Sequence, residues 1–219
     1  MKGLRILLGD DHALTLRGIK ALLETQFTVV GTATDGRRLV ELALSLKPDL
    51  VVLDVSMPQL NGLEAAKQIH AALPLVKLIF LTMHTNPLYV RKAIEIGAGG
   101  YVLKTGAAEE LLDAIQQVRN GGTYESPGLG TGVIEYLKSR SGNAPPEGQE
   151  LTSRQREILQ LITEGYMGKE IAHILNISIK TVDFHRARIM LRLGAHSAAE
   201  LVRLAVERGL IPAAAPDGI

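Results

Sequence analysis

Residues 5–18 read RILLGDDHALTLRG, a short apolar run followed by two aspartates and then by the start of a helical pattern. A run of this length is typical of a strand that is covered on both faces of a sheet. Leu16 and Leu23 then recur at the spacing of one helix face. The stretch therefore predicts a β-strand, a connection that carries Asp10 and Asp11, and an α-helix that packs on the sheet.

The same alternation of strand and helix patterns continues to residue 119. Strands joined by helices run parallel, and strands without polar alternation are covered on both faces. We therefore predict an α/β domain in which a doubly wound, parallel (βα)5 sheet lies between two layers of helices. The predicted strands cover residues 5–9, 27–33, 50–54, 77–82 and 101–103.

Composition limits the possible classes of protein. The chain has 219 residues, of which 46% are hydrophobic, so it is long enough for one large domain or two smaller ones. It has no cysteine, which excludes a disulfide scaffold, a thiolate metal site and a cysteine nucleophile. Its N-terminus lacks the apolar segment of a secretion signal, and no apolar run approaches the ~18 residues of a membrane span. We therefore expect a cytoplasmic protein that does not bind membranes.

A change in composition divides the chain. Residues 120–149 hold seven Gly and three Pro around one short helical pattern at 133–138, which is typical of a linker. We therefore predict a first domain at residues 1–125, a linker at 126–149 and a smaller, all-α domain at 150–219. Helices of that domain are predicted from Thr152 to Gly165 and at 169–175, 179–193 and 198–208.

Polar residues stand at the ends of four predicted strands. Asp10 and Asp11 follow the first strand, Asp54 ends the third, Thr82 ends the fourth, and Lys104 follows the fifth. The carboxyl ends of parallel strands lie at one edge of the sheet, where doubly wound domains bind their ligands. Three carboxylates at one edge repel one another unless they are protonated or neutralised by a cation. Mg²⁺ is the natural candidate, because it prefers oxygen ligands and often joins a carboxylate to a phosphoryl group.

Four motifs contain these strand ends: DDH at 10–12, LDVSMPQLNG at 53–62, LTMH at 81–84 and GYVLKT at 100–105. Through these motifs, residues 1–125 resemble the receiver domain of two-component systems. The resemblance implies that Asp54 accepts a phosphoryl group from a histidine kinase.

The resemblance also assigns the other residues at this edge of the sheet. The expected Mg²⁺ ligands are Asp10, Asp11, Asp54 and the backbone carbonyl of Ser56. Thr82 and Lys104 are expected to contact the phosphoryl group, Thr82 through its hydroxyl and Lys104 through its charge. In receiver domains the ring at the position of Tyr101 turns inward when the threonine binds phosphate, so Thr82 and Tyr101 are the expected switch pair. A half-buried strand aromatic is the alternative for Tyr101.

The C-terminal sequence has the spacing of a helix-turn-helix. A short helical pattern in KEIAHILNI is followed by a turn at 176–178 and by the longer, basic SIKTVDFHRARIMLRL. At ~100° per residue, one stripe of the longer helix holds Val182, Ile189 and Leu193. The opposite face holds Lys180, Phe184, Ala187, Arg188 and Leu191. We expect the first stripe to be buried and the opposite face to enter the major groove of DNA.

The segment from LTSRQREILQLITEG to AHSAAELVRLA resembles the DNA-binding domain of the LuxR/NarL type, and TVDFHRA looks closer to its FixJ-like branch. The resemblance implies that a homodimer, formed on activation, binds promoter DNA. The sequence departs from many relatives at Gln155, Met167, Gly168 and Asp183, where they have Glu, Ser, Asn and Lys. Because an acidic side chain repels phosphates, Asp183 either accepts from a cytosine amino group or flanks the contact surface.

Eight side chains are candidates for contact with phosphates or base edges. They are Lys169, Lys180, Thr181, Asp183, Phe184, His185, Arg188 and Arg192. A packed, hydrogen-bonded ring is an equal alternative for His185. Arg186 is expected to pack its aliphatic stem on the domain with only its head exposed.

The leading hypothesis is a response regulator, which is not an enzyme, whose phosphorylation at Asp54 favours dimerisation and promoter binding. Haloacid-type phosphatases also combine an aspartate nucleophile with magnesium, but they need a second aspartate where this chain has Ser56. A third possibility is a DNA-binding regulator that acts without phosphorylation and uses the receiver domain for dimerisation. The last helix, with Leu201, Val202 and Ala205, belongs either to a dimer surface or to the domain core.

Overall fold

The computed structural model describes residues 3–106, 108–129 and 151–211. These residues form two compact units, the first with residues up to 129 and the second with those from 151 onward. No helix in the described ranges is long and apolar enough to cross a membrane. The helical pattern predicted at 133–138 and most of the linker predicted at 126–149 lie outside the described residues.

The first unit is built on a parallel sheet. Its strands are β1 Arg5–Gly9, β2 Thr28–Ala33, β3 Leu50–Leu53, β4 Lys77–Thr82, β5 Gly100–Leu103 and β6 Tyr124–Glu125. They lie in the order β2-β1-β3-β4-β5-β6, so the chain order reverses between β1 and β3. Every residue of β3 and β5 is buried, as expected for strands covered on both faces. The predicted doubly wound α/β architecture is confirmed.

Helices cover both faces of this sheet. They are α1 Ala13–Leu23, α2 Gly36–Leu46, α3 Gly62–Ala72, α4 Pro87–Ile96 and α5 Ala108–Arg119. Leu8 of β1 packs in a core with residues of α1 and α5, whereas Leu7 packs in the other core with residues of α2, α3 and α4. Neighbouring residues enter different cores because side chains alternate across a strand.

Local signals fix the ends of the helices. Asn61 and Asn86 accept hydrogen bonds from backbone N–H groups in the first turns of α3 and α4, which satisfies donors that a helix leaves unpaired. Helix α4 ends at Ile96 and is capped by Gly97, whose φ of 96° lies in the left-handed region that favours glycine. In the turn that connects α3 to the start of β4, Leu75 is 93% exposed.

A short sixth strand adds to the predicted five βα units. Strand β6 pairs in parallel with β5, and one turn of 3₁₀-helix at Pro127–Leu129 follows it. Between them, the buried hydroxyl of Ser126 donates to a carboxylate oxygen of Glu110 at 2.6 Å and accepts from the backbone N–H of Leu103 at 2.9 Å. The first residues of the predicted linker therefore pack on the first unit.

The second unit packs α6 Ser153–Thr163, α7 Gly168–Ile174, α8 Ile179–Leu193 and α9 Ala198–Glu207 around a core of its own. Helix α6 begins with a capping box, in which Thr152 and Gln155 each bond the other's backbone N–H. The turn before α8 contains Asn176 with a φ of 50°. In α9, Leu201 and Ala205 are fully buried, which supports the core role of this face. The predicted helical second domain is confirmed, and α8 has the predicted bounds.

Candidate functional site

The polar strand-end residues meet at the carboxyl edge of the sheet. Asp10 follows β1 and Asp54 follows β3, the two strands between which the chain order reverses. The backbone N–H of Asp54 donates to the carbonyl of Gly9 at 2.9 Å, and that of Lys104 donates to the carbonyl of Thr82 at 2.9 Å. Because the hydrogen bonds of the sheet continue into these residues, their side chains are held side by side.

Lys104 joins two buried aspartates. Its Nζ atom lies 2.6 Å from Oδ2 of Asp54 and 2.8 Å from Oδ2 of Asp10. The Lys104 side chain is 10% exposed, and both carboxylates are more deeply buried. Burial opposes the charge of Lys104, but Asp54 and Asp10 outweigh it and raise the pKa of the ammonium group above its ordinary value. Lys104 is therefore a charged bridge between the ends of β1 and β3.

The other side of the site is anionic. Ligand atoms of Asp10, Asp11, His12 and Asp54 all lie within 4.8 Å of one another. Asp11 is exposed, and its Oδ1 atom lies 2.7 Å from Nδ1 of His12. Oδ1 of Asp54 is buried without a hydrogen-bond partner among the described residues, which is unfavourable for a carboxylate oxygen. This set of oxygen donors fits a hard divalent cation.

Close packing fixes the backbone behind Asp54. Helix α3 begins at Gly62, whose N–H donates to the carbonyl of Val55 at 2.8 Å. A Cβ atom on Gly62 would lie 1.8 Å from the carbonyl oxygen of Asp54, so this position has room for glycine only. The first turn of α3 therefore holds the end of β3 in place.

A hydrogen-bond network links the loops after β3 and β4 to β5. Oγ of Ser56 lies 2.6 Å from Nε2 of His84. The hydroxyl of Tyr101 donates to the backbone carbonyl of His84 at 2.9 Å. The backbone N–H of His84 donates to the hydroxyl oxygen of Thr82 at 3.3 Å, and Thr82 is fully buried. His84 therefore contacts the two predicted switch residues and Ser56.

His84 and His12 belong to this site although the sequence patterns do not identify them. Both stand inside the motifs LTMH and DDH, close to the residues that the motifs assign to the site. Burial lowers the pKa of His84, against the opposing charge of Asp54. Tyr101 is 1% exposed, so its ring lies inward and is more deeply buried than a half-buried strand aromatic. Burial, with a smaller effect of Asp54, raises the pKa of its phenol.

Helix α8 has the two faces that its sequence predicts. The predicted inner stripe of Val182, Ile189 and Leu193 is buried in the core of the second unit. The opposite face is exposed along its length and consists of Lys180, Phe184, Ala187, Arg188 and Leu191. The predicted division into a buried and an exposed face is confirmed.

The side chains expected to contact DNA differ in the contacts that they make within the protein. Three of the candidates, Lys169, Lys180 and Asp183, are exposed. Arg186, which lies beside them on α8, is exposed as well. The hydroxyl of Thr181 lies 2.8 Å from that of Ser178, the N-cap of α8. Arg192 donates to the side-chain oxygen of Gln155 at 3.3 Å, so part of its guanidinium is used inside the unit.

Phe184 and two neighbours form an aromatic and cationic cluster. Phe184 is 53% exposed, and Cζ of Arg188 lies 4.5 Å from the centroid of its ring. The ring of His185 meets that of Phe184 edge-on, with 5.6 Å between centroids. Burial lowers the pKa of His185, and the charges of Arg154 and Arg188 act in the same direction. His185 is half-buried, so its environment lies between that of a packed ring and that of an exposed side chain that contacts DNA.

The first unit has an acidic site where the strand order of a doubly wound sheet reverses, and the second unit exposes a basic helix after a tight turn. These two features together define a class of proteins that link phosphoryl chemistry to DNA binding. The chain belongs to the response regulators of the LuxR type. Residues 6–116 match the response regulator receiver domain, and residues 149–205 match the bacterial regulatory proteins of the luxR family.

Relatives match almost the whole chain. The transcriptional regulatory protein MctR of Rhizobium johnstonii is 37% identical over 211 residues, which are 95% of this chain and 95% of MctR. The oxygen regulatory protein NreC of Staphylococcus aureus is 37% identical over 215 residues, which are 95% of this chain and 99% of NreC. RcsB from Salmonella enterica serovar Typhimurium, bound to a promoter with the phosphomimetic BeF3⁻, is 28% identical with a TM-score of 0.57, covering 93% of this chain and 98% of RcsB. The family assignment thus extends over both units.

Proposed function

We propose that the chain is a phosphorylation-controlled transcription regulator in which Asp54 accepts a phosphoryl group from a histidine kinase. One observation carries the proposal. Oδ2 of Asp54 is held by Lys104, whereas Oδ1 is buried at the same edge without a hydrogen-bond partner among the described residues. The ammonium group of Lys104 therefore positions Oδ2, and Oδ1 is left as the nucleophile.

The neighbouring side chains have distinct roles in the proposed transfer. As a bond forms between Asp54 and phosphorus, the bond from phosphorus to the kinase histidine breaks, and its nitrogen keeps the electron pair. Lys104 is already charged, so it can move from Asp54 to a phosphoryl oxygen without a change of protonation. Thr82 can donate its hydroxyl hydrogen to another phosphoryl oxygen, because that hydroxyl uses only a lone pair to accept from His84.

We propose Mg²⁺ as the cation of this site. Its proposed ligands are Asp10, Asp11, Asp54 and the backbone carbonyl of Ser56. When bound, Mg²⁺ neutralises charge on the transferring phosphoryl group. The proximity of the carboxylates of Asp10, Asp11 and Asp54, whose ligand atoms lie within 4.8 Å of one another, supports this assignment.

We infer that Thr82 and Tyr101 transmit the change. Both are bonded to the backbone of His84, Thr82 through the N–H group and Tyr101 through the carbonyl. A movement of Thr82 toward a phosphoryl group releases one of these bonds and changes the loop that Tyr101 holds. Such a shift favours the active state only by as much as the phosphoryl group stabilises it over the resting state.

The second unit is proposed to bind promoter DNA as a homodimer through the exposed face of α8. The expected contacts are made by Lys169, Lys180, Thr181, Asp183, Phe184, His185, Arg188 and Arg192. Exposed cations on α7 and α8 support phosphate contacts, and the exposed face of α8 is free to meet base edges. RcsB, which the chain resembles, is solved with a promoter.

We further propose a receiver domain at residues 1–125, a linker at 126–149 and a DNA-binding domain at 150–219, in a cytoplasmic protein. The proposed activity is switching and not turnover of a substrate. Ser56 stands where a phosphatase would need a second acid, and its hydroxyl is bonded to His84.

Phosphorylation of the intact protein tests the first half of the proposal. Full-length protein is incubated with acetyl phosphate and Mg²⁺ and analysed by mass spectrometry. We expect a gain of one phosphoryl group that Asp54→Asn abolishes and Asp113→Asn, a change at an exposed position on α5, leaves intact. Absence of the phosphoryl group in the unchanged protein, or its persistence in Asp54→Asn, contradicts the proposal.

Selection of bound DNA tests the second half. Full-length protein with and without BeF3⁻ and Mg²⁺ is used to enrich duplexes from a random library. We expect the enriched duplex to bind more tightly with BeF3⁻ and to lose affinity with Arg188→Ala. Equal binding of the two forms would favour a regulator that acts without phosphorylation and uses the receiver for dimerisation.

A further inference from the structure

We propose that Phe184 and Arg188 form one reading unit on α8 that recognises the methyl group of a thymine next to a guanine. The inference rests on the proposed DNA binding and adds the chemistry of the preferred base step. It starts from two exposed side chains whose contact with each other is present in the free protein.

Phe184 lies where it cannot contribute to the core of its own unit. Its side chain is 53% exposed, and the buried stripe of α8 is on the opposite side of the helix. Ala187 and Leu191 on the same face are also apolar and exposed, Leu191 to 84%. The exposed face of this helix therefore has an apolar centre.

Cations border this apolar centre. Lys180 lies one turn before Phe184 along α8, and Arg188 lies one turn after it. A face with this pattern is complementary to the major groove, where phosphates flank the base edges. The apolar group that the major groove presents is the thymine methyl, which cytosine lacks. A half-exposed phenyl ring therefore fits a thymine at this position.

Arg188 supplies the second contact. Cζ lies 4.5 Å from the ring centroid of Phe184, and stacking of this kind uses the face of the guanidinium while its N–H groups remain in the plane. Arg188 has no hydrogen bond or ion pair within the described part of the second unit, in contrast to Arg192, which donates to Gln155. Its planar set of donors is therefore available to O6 and N7 of a guanine.

The spacing places the two contacts on neighbouring base pairs. Cζ of Arg188 lies 4.5 Å from the centroid of the Phe184 ring, which is close to the separation of about 3.4 Å between successive base pairs. Because the ring and the guanidinium are stacked before DNA arrives, each limits the positions open to the other. The preferences for thymine and for the adjacent guanine should therefore depend on each other.

Removal of single methyl groups from the DNA tests the contact with thymine. The probe is the duplex enriched by full-length protein with BeF3⁻, in which each thymine is replaced in turn by deoxyuridine. We expect one thymine per half-site at which the replacement weakens binding about three- to fivefold, the effect of losing one buried methyl group. Phe184→Ala should bind the two duplexes equally, and Phe184→Leu should retain part of the difference.

Two matched comparisons separate this contact from general affinity. Lys169→Ala, on α7, should weaken binding to the thymine and the deoxyuridine duplex by the same factor, because a phosphate contact carries no base information. Replacing the neighbouring guanine by 7-deazaguanine removes the N7 acceptor and should weaken binding about tenfold. Arg188→Ala should abolish that effect, and Phe184→Ala should reduce it.

The outcomes distinguish the inference from the function on which it rests. If no duplex is enriched, the proposed DNA binding is wrong. If a duplex is enriched but no thymine responds to loss of its methyl group, or the thymine that responds has no guanine beside it, DNA binding stands and the reading unit is wrong. The reading unit is also wrong if Phe184→Ala still distinguishes thymine from deoxyuridine.

Discussion

Among single residues, Lys104 controls the charge balance of the acidic site. It bonds both Asp10 and Asp54, and all three side chains are largely buried. Removing one partner of a buried ion pair leaves an uncompensated charge, at a cost of about 3–5 kcal/mol. We expect Lys104→Met to lower the free energy of unfolding by about 3 kcal/mol without divalent cations, and Mg²⁺ to recover part of the loss. Urea denaturation with and without Mg²⁺ measures both effects.

Lys77→Met is the matched control for Lys104→Met. Lys77 is exposed at the start of β4, at the other end of the sheet. Its replacement should change stability by no more than about 0.5 kcal/mol and should not alter the effect of Mg²⁺. Equal losses in the two variants would show that the bridge to the aspartates does not stabilise the fold.

His185 should make the stability of the second unit depend on pH. Burial and the charges of Arg154 and Arg188 place its pKa below the ordinary value of about 6.5. As pH falls through about 6.5, the unfolded chain binds a proton that the folded unit does not, so stability decreases with decreasing pH. NMR titration should give a lower midpoint for His185 in the folded protein than in urea. Thermal unfolding of His185→Gln should depend less on pH between about 7 and 5.5, and identical midpoints in both states would refute the explanation.

Among secondary-structure elements, the start of α3 tolerates no side chain. A Cβ atom on Gly62 would lie 1.8 Å from the carbonyl oxygen of Asp54, whereas one on Gly18, inside α1, meets nothing within 4 Å. We expect Gly62→Ala to destabilise the first unit by about 3 kcal/mol or more and to slow phosphorylation of Asp54. Gly18→Ala should stabilise it by about 0.5–1 kcal/mol, because alanine favours helices over glycine. Urea denaturation should therefore give effects of opposite sign.

The hydroxyl of Ser126 adds two side-chain hydrogen bonds to the backbone pairing that holds β6 on β5. Ser126→Ala leaves the buried N–H of Leu103 without its partner and removes the bond to Glu110. An unsatisfied buried donor costs about 1–3 kcal/mol, so the variant should be less stable by about that amount. Amide exchange should become faster at residues 124–129. Ser45→Ala, at an exposed position on α2, is the control, and equal protection of 124–129 in the two variants would mean that Ser126 does not hold this segment.

The sequence predicts the elements of this chain better than their contacts. The bounds of β1, β4 and α8 agree with the prediction, because each is marked by a strong periodic pattern and by flanking turn residues. Strand β6 is preceded by Asn, Gly, Gly and Thr, which locally indicate a loop, and it forms only by pairing with β5. Its existence depends on distant residues that a local pattern does not contain.

The same distinction applies to the acidic site. Asp10, Asp54 and Lys104 could be placed together from sequence, because the carboxyl ends of parallel strands share one edge. The bond between Ser56 and His84 could not, since 28 residues separate them and the contact depends on β3 and β4 being neighbours in the sheet. Contacts that depend on strand order and side-chain rotamers therefore cannot be predicted from the motifs alone.

For the molecule as a whole, the proposed switch is a coupling between two binding events, and such coupling is reciprocal. If BeF3⁻ at Asp54 tightens DNA binding by some factor, the enriched duplex must tighten BeF3⁻ binding by the same factor. We expect a factor of about 5 to 150 in both directions. Fluorescence anisotropy measures the DNA affinity, and ¹⁹F NMR measures the BeF3⁻ affinity. With Asp54→Asn both effects should vanish. A BeF3⁻ affinity that is the same with and without DNA would show that the two units act independently.

The exposed turn between α3 and β4 makes such measurements possible on individual molecules. The chain has no cysteine, so Leu75→Cys would create a unique thiol. Leu75 is 93% exposed and lies at the end of the sheet opposite Asp54, where a dye would not touch the acidic site. With a donor dye on the DNA, energy transfer to an acceptor dye at this position would report when each protein molecule binds a promoter and when it dissociates.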